Sequence, residues 1–262
     1  MADEKMSLVA HLEDLRKRIV VSLLVLIAAF VVAFNFSEEI FAVLMFPLRY
    51  SLDFSVTGLY FQFVPADKLH STKLVFLEPA EAFWMNMKVA FVAAIVLSLP
   101  VIFHQLWKFI SPGLQKNEKK YVFPFVISAT GLFLIGASFC FIIVLPFALS
   151  FLLSYKVGDF LMPMLSVGKY VDFCLKFIVA FGAIFELPIL LIFLTRIGLV
   201  STQTLKRNRR MAIVLAFVAG AILTPTPDAF NQTLMAVPII LLYELGILLS
   251  VFFEKRKVDG DG

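Results

Sequence analysis

The chain has 262 residues, of which 61% are hydrophobic and 16% charged, with a formal net charge of +4. A composition this apolar excludes a soluble globular domain, and apolar runs spread from end to end leave little length for a separate aqueous domain. The expected class is therefore a single all-α membrane domain, because a chain in lipid must satisfy its backbone hydrogen bonds within itself.

At the N-terminus, Leu8, Leu12, Leu15 and Ile19 recur at helical spacing, which predicts an amphipathic cytoplasmic helix over 1–18 lying at the membrane surface. The segment is expected to be retained. Its charged region and the apolar run that follows are both too long for a secretory leader, and no small-x-small cleavage site precedes Ser37. Within it, Glu13 and Asp14 interrupt a basic flank formed by Arg16, Lys17 and Arg18. Internal Glu/Arg pairing explains such a pattern, and so does an exposed acidic pair that receives a basic peptide.

Six apolar segments follow, at 19–36, 82–106, 121–147, 171–195, 211–223 and 229–253, with a tail at 254–262. The first four reach the roughly 20 residues that about 30 Å of hydrocarbon requires. The fifth stops at Thr224-Pro225-Thr226-Pro227-Asp228, and the sixth contains Pro238 and Glu244, so the last two are expected to be short. Of the 23 lysines and arginines, most fall in the N-terminal segment, the loops after the second and fourth segments, and the C-terminal tail. That distribution predicts six spans with both termini in the cytoplasm.

Several polar residues interrupt these segments. Glu186 lies within an apolar stretch, where a central acid costs roughly 3 kcal/mol and usually faces a protein interior or a water-filled cavity. Pro188 should bend the helix beside it, and Gln232 and Glu244 of the sixth segment are expected as its neighbours. On the outer side, Pro47 marks a bend, and Lys88 is expected to pair with Glu78 or Glu81. Asp228 is expected to cap the last helix. Trp107 and Phe109, ahead of the lysine-rich second cytoplasmic stretch, fit an interfacial aromatic belt, whereas Glu118 within that stretch is predicted by neither the belt nor the positive-inside rule. Cys140 and Cys174 fall in apolar segments and suggest small apolar fillers rather than a disulfide framework.

No metal, cofactor or catalytic constellation is expected. His11, His70 and His104 are scattered, and there is no His-Glu-x-x-His pair, nucleophile turn or phosphate loop. An ion-coupled transporter using Glu186 and Glu244 as a proton relay is the alternative from another class, but the repeated halves typical of such proteins are not evident.

Four motifs occur in order: His-Leu-x-x-Leu-Arg at the N-terminus, Phe-Ile-x-Pro-x-Leu ending in Glu-Lys-Lys after the second segment, Phe-Glu-Leu-Pro in the fourth, and Thr-Pro-Asp-x-Phe-x-Gln-Thr before the sixth. Together they resemble TatC, the multi-spanning receptor subunit of the twin-arginine protein translocase. The resemblance implies a curved, concave bundle and a receptor that is not an enzyme. It further implies binding of twin-arginine signal peptides of folded cargo at the cytoplasmic face, with Leu12, Asp14, Arg16, Phe109, Glu118 and Lys120 forming the site. Glu118 is the first choice to hold the arginine pair and Asp14 the second, because a guanidinium fork is matched by carboxylates. Glu186, Gln232 and Glu244 are implied as contacts for a signal helix or partner span, and Pro47, Glu81, Lys88 and Asp228 as the outer face. The small single-span subunits TatA and TatB, further copies of the chain and membrane lipid are the implied partners, with no nucleic acid. The implied location is a bacterial inner membrane, with the proton-motive force as energy source. The sequence departs from the family pattern at Asp14, where Glu is common, and at Gly113 to Gln115.

Overall fold

The computed structural model describes residues 8–55, 60–65, 74–110, 122–154, 164–224 and 228–253. The first helix, α1 (Leu8–Asn35), runs without interruption for 28 residues, about 42 Å at 1.5 Å per residue. This corrects the expected division into a surface helix and a separate span. No proline or glycine falls anywhere within Leu8–Asn35, so nothing breaks the helix between the two expected segments. Beyond α1 come α2 (Ser37–Leu44) and α3 (Phe46–Arg49), the latter admitting Pro47 in its first turn and burying it.

Two short strand pairs, which the sequence reading did not anticipate, occupy the same end of the molecule. Strands β1 (Tyr50–Ser55) and β2 (Tyr60–Pro65) are antiparallel, with Tyr50 opposite Pro65 and Ser55 opposite Tyr60. β3 (Leu74–Val75) pairs in parallel with β4 (Leu165–Ser166). Everything that crosses the apolar thickness is helical, as expected of an all-α membrane domain.

The second segment is α4 (Glu81–Ile110), which continues through Pro100. The third is α5 (Val122–Phe139), a π turn at Cys140–Val144, and α6 (Leu145–Ser154). The fourth is broken in two: α7 (Val167–Phe185) stops at Glu186, and α8 (Leu187–Arg196) starts with Pro188 in its first turn. Proline tolerates a first turn because the N–H it lacks has no partner there anyway. α8 closes on Gly198 at φ +78, where the Gly198 N–H donates to the Thr195 carbonyl and the left-handed backbone suits a residue without Cβ. Next come α9 (Thr202–Arg207), α10 (Arg209–Leu223) and α11 (Ala229–Phe253).

Among the described residues, five helical stretches are long and apolar enough to cross a membrane; α10, at 15 residues, is shorter. The expectation that the last helix is also short is corrected. α11 runs 25 residues, about 37 Å, with Pro238 inside it, so a single proline has not divided this helix.

α4, α5 and α7 pack on one another. α1 packs chiefly on α4, α4 on α5 and α7, α8 on α11, and α11 on α10. The largest core lies where α2, α4, α6 and α7 meet, with Leu44, Val89, Val144, Leu145, Tyr170, Val171 and Cys174 buried and both cysteines free. The Tyr170 hydroxyl donates to the Leu44 carbonyl at 2.6 Å, fastening α7 to α2. Close approach of α5 and α7 depends on two glycines. A Cβ on Gly136 would stand 2.7 Å from the Phe181 carbonyl oxygen, and one on Gly182 would stand 2.5 Å from the Phe133 ring.

Gly136→Ala should therefore lower stability by about 1–3 kcal/mol, read as a lower thermal unfolding midpoint in detergent. Gly131→Ala, in the same helix with no atom within 4 Å of the added methyl, should hold or raise that midpoint. Equal effects of the two substitutions would contradict the packing described.

Candidate functional site

The start of α1 and the end of α4 lie side by side. Leu15, Arg18, Ile19, Ser22, Leu23 and Leu26 of α1 face Ile102, Gln105, Leu106 and Phe109 of α4 across an almost wholly apolar hollow of about 370 Å³. Asp14 and Phe109 are thus carried to the same end of one helix pair, where α4 ends ahead of residues 111–121. Leu12 and Arg16 are exposed there. Asp14 accepts from Arg18 Nε at 2.7 Å, one helical turn away, so its carboxylate already has an internal partner. Glu118 and Lys120 lie outside the described residues.

Within the membrane thickness, Glu186 occupies the turn between α7 and α8. Its N–H donates to the Ala183 carbonyl and its carbonyl accepts from the Leu190 N–H, which carries the backbone across the break. Its Oε1 is buried and has no hydrogen-bond partner. The expected grouping with Gln232 and Glu244 is corrected. Gln232 donates its side-chain amide to the Phe217 carbonyl at 3.0 Å, and Glu244 pairs with Arg209 at 2.8 Å. The two residues are 12 positions apart on one helix, about 18 Å, and each is held by its own partner.

Similarity to known proteins bears on the same residues. The family model described as Sec-independent protein translocase protein (TatC) matches residues 10–238. The chain belongs to the TatC family. A TatC from Carboxydothermus hydrogenoformans is 34% identical over 261 residues, covering 100% of this chain and 99% of its own. One from Campylobacter jejuni is 41% identical over 239 residues, covering 91% of each. A crystal structure of the twin-arginine translocase receptor TatC superposes with a TM-score of 0.76 at 35% identity, covering 93% of this chain and 99% of the other. TatC membership places the chain among protein translocase components of the membrane, receptors rather than enzymes.

In this TatC chain the end of the molecule where α4 and α7 begin is organised around Glu81. Its carboxylate accepts from the Ser166 hydroxyl, from the Gly168 N–H at 2.7 Å and from the Leu77 N–H at 2.6 Å. Ser166 in turn caps α7 by accepting from the Lys169 N–H. Glu81 thus joins the entry to α4 with the entry to α7, and it is not the partner of Lys88. That expectation is corrected: Lys88 pairs with Asp172 of α7 at 2.6 Å. Lys88 sits seven residues into α4, about 10 Å from Glu81 along the axis, whereas packing of α4 on α7 brings Asp172 alongside. Asp228 accepts from the Asn231 N–H at 2.7 Å, in the geometry of an N-cap to α11.

Two further contacts escaped the sequence. Lys176 of α7 donates to the Ile222 carbonyl at 3.0 Å and so places a cation at the C-terminal end of α10. Trp107 is buried, 5% exposed, rather than lying in an interfacial belt. The charges of Asp172 and Lys176 within the apolar fourth segment were the available signal for the first, and nothing local signalled the second.

The Lys88–Asp172 pair makes a checkable case. Lys88→Glu alone should destabilise the protein, and Asp172→Lys in the same chain should restore much of the loss. The expected coupling is on the order of 1 kcal/mol, measured by a double-mutant cycle of thermal unfolding in detergent. Additive single effects would mean that the pair contributes nothing.

Proposed function

We propose that this chain is the signal-peptide receptor of a twin-arginine translocation system. In this reading it binds peptides carrying paired arginines at its cytoplasmic face and, with the small single-span subunits TatA and TatB and further copies of itself, passes folded proteins across a bacterial inner membrane. Both termini are cytoplasmic, and the proton-motive force supplies the energy. The observation that carries the reading is the meeting of the start of α1 with the end of α4, which brings Asp14, Arg16 and Phe109 to the end of α4 that precedes the segment bearing Glu118. It is supported by similarity to a solved chain titled as a twin-arginine translocase receptor.

Glu118 is the principal acid for the arginine pair. Asp14 is secondary, because it must share or give up Arg18 to receive an incoming guanidinium. Leu12, Arg16, Phe109 and Lys120 shape the surrounding surface. Glu186, whose Oε1 is unpartnered at a helix break, is the polar mark on the face where a signal helix or partner span docks. The proton-relay alternative gains no support, since the Glu244 carboxylate is held by Arg209.

Photo-crosslinking of a twin-arginine peptide to the purified protein tests this. Glu118→Gln should lower crosslinking at least about tenfold, as loss of a buried or bidentate charge pair does. Asp14→Asn should lower it less. Replacing the peptide's arginines by lysines should mimic Glu118→Gln, because lysine cannot form the bidentate pair. Undiminished crosslinking in Glu118→Gln would remove that residue from the site.

A further inference from the structure

A second hollow, of about 450 Å³ and almost wholly apolar, lies between α1 and α4 toward the start of α4. Leu26, Ile27 and Phe30 form one wall, and Met87 and Phe91 the other. Lys88 lines it as well, and its ammonium does not stand alone. Lys88 Nζ pairs with Asp172 Oδ1 at 2.6 Å, yet both side chains remain about half exposed, at 46% and 51%. Asp172 in turn precedes Lys176 by one turn of α7, and residues at that spacing are neighbours on one helix face. Lys176 is exposed and donates to the Ile222 carbonyl at 3.0 Å, an acceptor without formal charge. Two ammonium groups therefore share one carboxylate. The group carries one excess positive charge inside segments that are otherwise apolar, where a charge requires an opposite charge or water.

The depth of this group is marked by its neighbours. Trp84 stands one turn nearer the start of α4, 56% exposed and edge-on to Phe83 at 5.6 Å. Exposed aromatic rings at the end of a spanning helix sit at headgroup level. Lys88 lies about 6 Å deeper along the axis. Its four-carbon stem covers apolar surface and lets the ammonium reach back toward the headgroups.

We infer that the start of α4, with α1 and α7, forms a site for an anionic phospholipid, the phosphate held by Lys88, Asp172 and Lys176 and one acyl chain laid in the hollow. A charged cluster beside an apolar concavity matches the two parts of such a lipid, and the excess positive charge matches its single negative one. The bilayer supplies the ligand at this depth. Ordinary lipid-facing surface has neither feature: on α11, Leu241 and Leu248 are exposed without an adjoining charged cluster. None of the residues of this site belongs to the proposed arginine-pair site.

The chain has two tryptophans, so Trp107→Phe leaves Trp84, which borders the hollow, as the single fluorophore. In that background the full chain is placed in vesicles of phosphatidylcholine and phosphatidylglycerol, and quenching of Trp84 is read when one lipid or the other carries brominated acyl chains. Phosphatidylglycerol should be preferred about fivefold, the scale of one cation beside an anionic lipid. Lys88→Gln neutralises the group and should bring the preference close to one. Asp172→Asn leaves the group doubly positive and should raise the preference above that of the parent. Both substitutions break the same ion pair, so general loosening of the structure would move them in the same direction. Lys176→Gln keeps the pair and should lower the preference. Leu26→Phe fills the hollow and should lower quenching by either lipid.

Equal quenching by the two lipids in the parent means that Trp84 meets bulk lipid only, and overturns the inference. So does a shift of the preference in the same direction in Lys88→Gln and Asp172→Asn. Quenching that Leu26→Phe leaves unchanged overturns the placement of the acyl chain.

Discussion

Hydrocarbon offers the backbone no hydrogen-bond partner, so every interruption of a spanning helix has to be absorbed by protein. The fourth segment breaks at Glu186, and the donors and acceptors there are met by a tightened turn, with Glu186 donating to Ala183 and accepting from Leu190. The third segment widens into a π turn at Cys140–Val144, with Cys140 and Val144 themselves buried. The two irregularities are neighbours across the α5–α7 contact, where Phe139 meets Phe185 at 5.6 Å and Gly136 admits the Phe181 carbonyl. The interruption is thus tolerated where small residues and aromatic rings cover it.

Polar ties supplement the apolar core that α2, α4, α6 and α7 share. They lie toward the helix ends. At the end where α4 and α7 begin, Tyr170 reaches Leu44, Glu81 reaches Ser166 and Gly168, and Lys88 reaches Asp172. On the other side, Tyr243 donates to the Leu205 carbonyl at 2.9 Å and Arg209 pairs with Glu244. Apolar contact between helices gains little from a solvent that is itself apolar, so packing density and polar ties at the ends set the arrangement. α1, with Leu23, Ile27 and Val31 more than half exposed, is left with most of its surface toward lipid or partners.

Much of this was legible in the residues. The spans, the break at Glu186-Leu187-Pro188, the short α10 and the N-cap at Asp228 each follow from local chemistry, namely hydropathy over some twenty residues, a proline or a capping carboxylate. The merging of the N-terminal helix with the first span was also open to local reasoning, since no breaker separates them. The length of α11 was misjudged because Pro238 alone does not end a helix in this setting. The proposed recognition site rests on resemblance of motifs, and Glu118, proposed as its acid, lies outside the described residues.

By itself, then, the sequence determined the solvent, the number and approximate length of the helices, where they stop, and the family to which they belong. Those properties reside in stretches of contiguous residues, for which burial and backbone hydrogen bonding are settled within a few turns. The tertiary structure alone decided which polar groups meet. Lys88 finds Asp172 across 84 positions, Glu81 finds Ser166 across 85, and Trp107 gathers Phe125 and Phe193 from two other helices. Side-chain contacts of that separation depend on which helix faces pack and at what register, and neither hydropathy nor spacing within one segment carries that information.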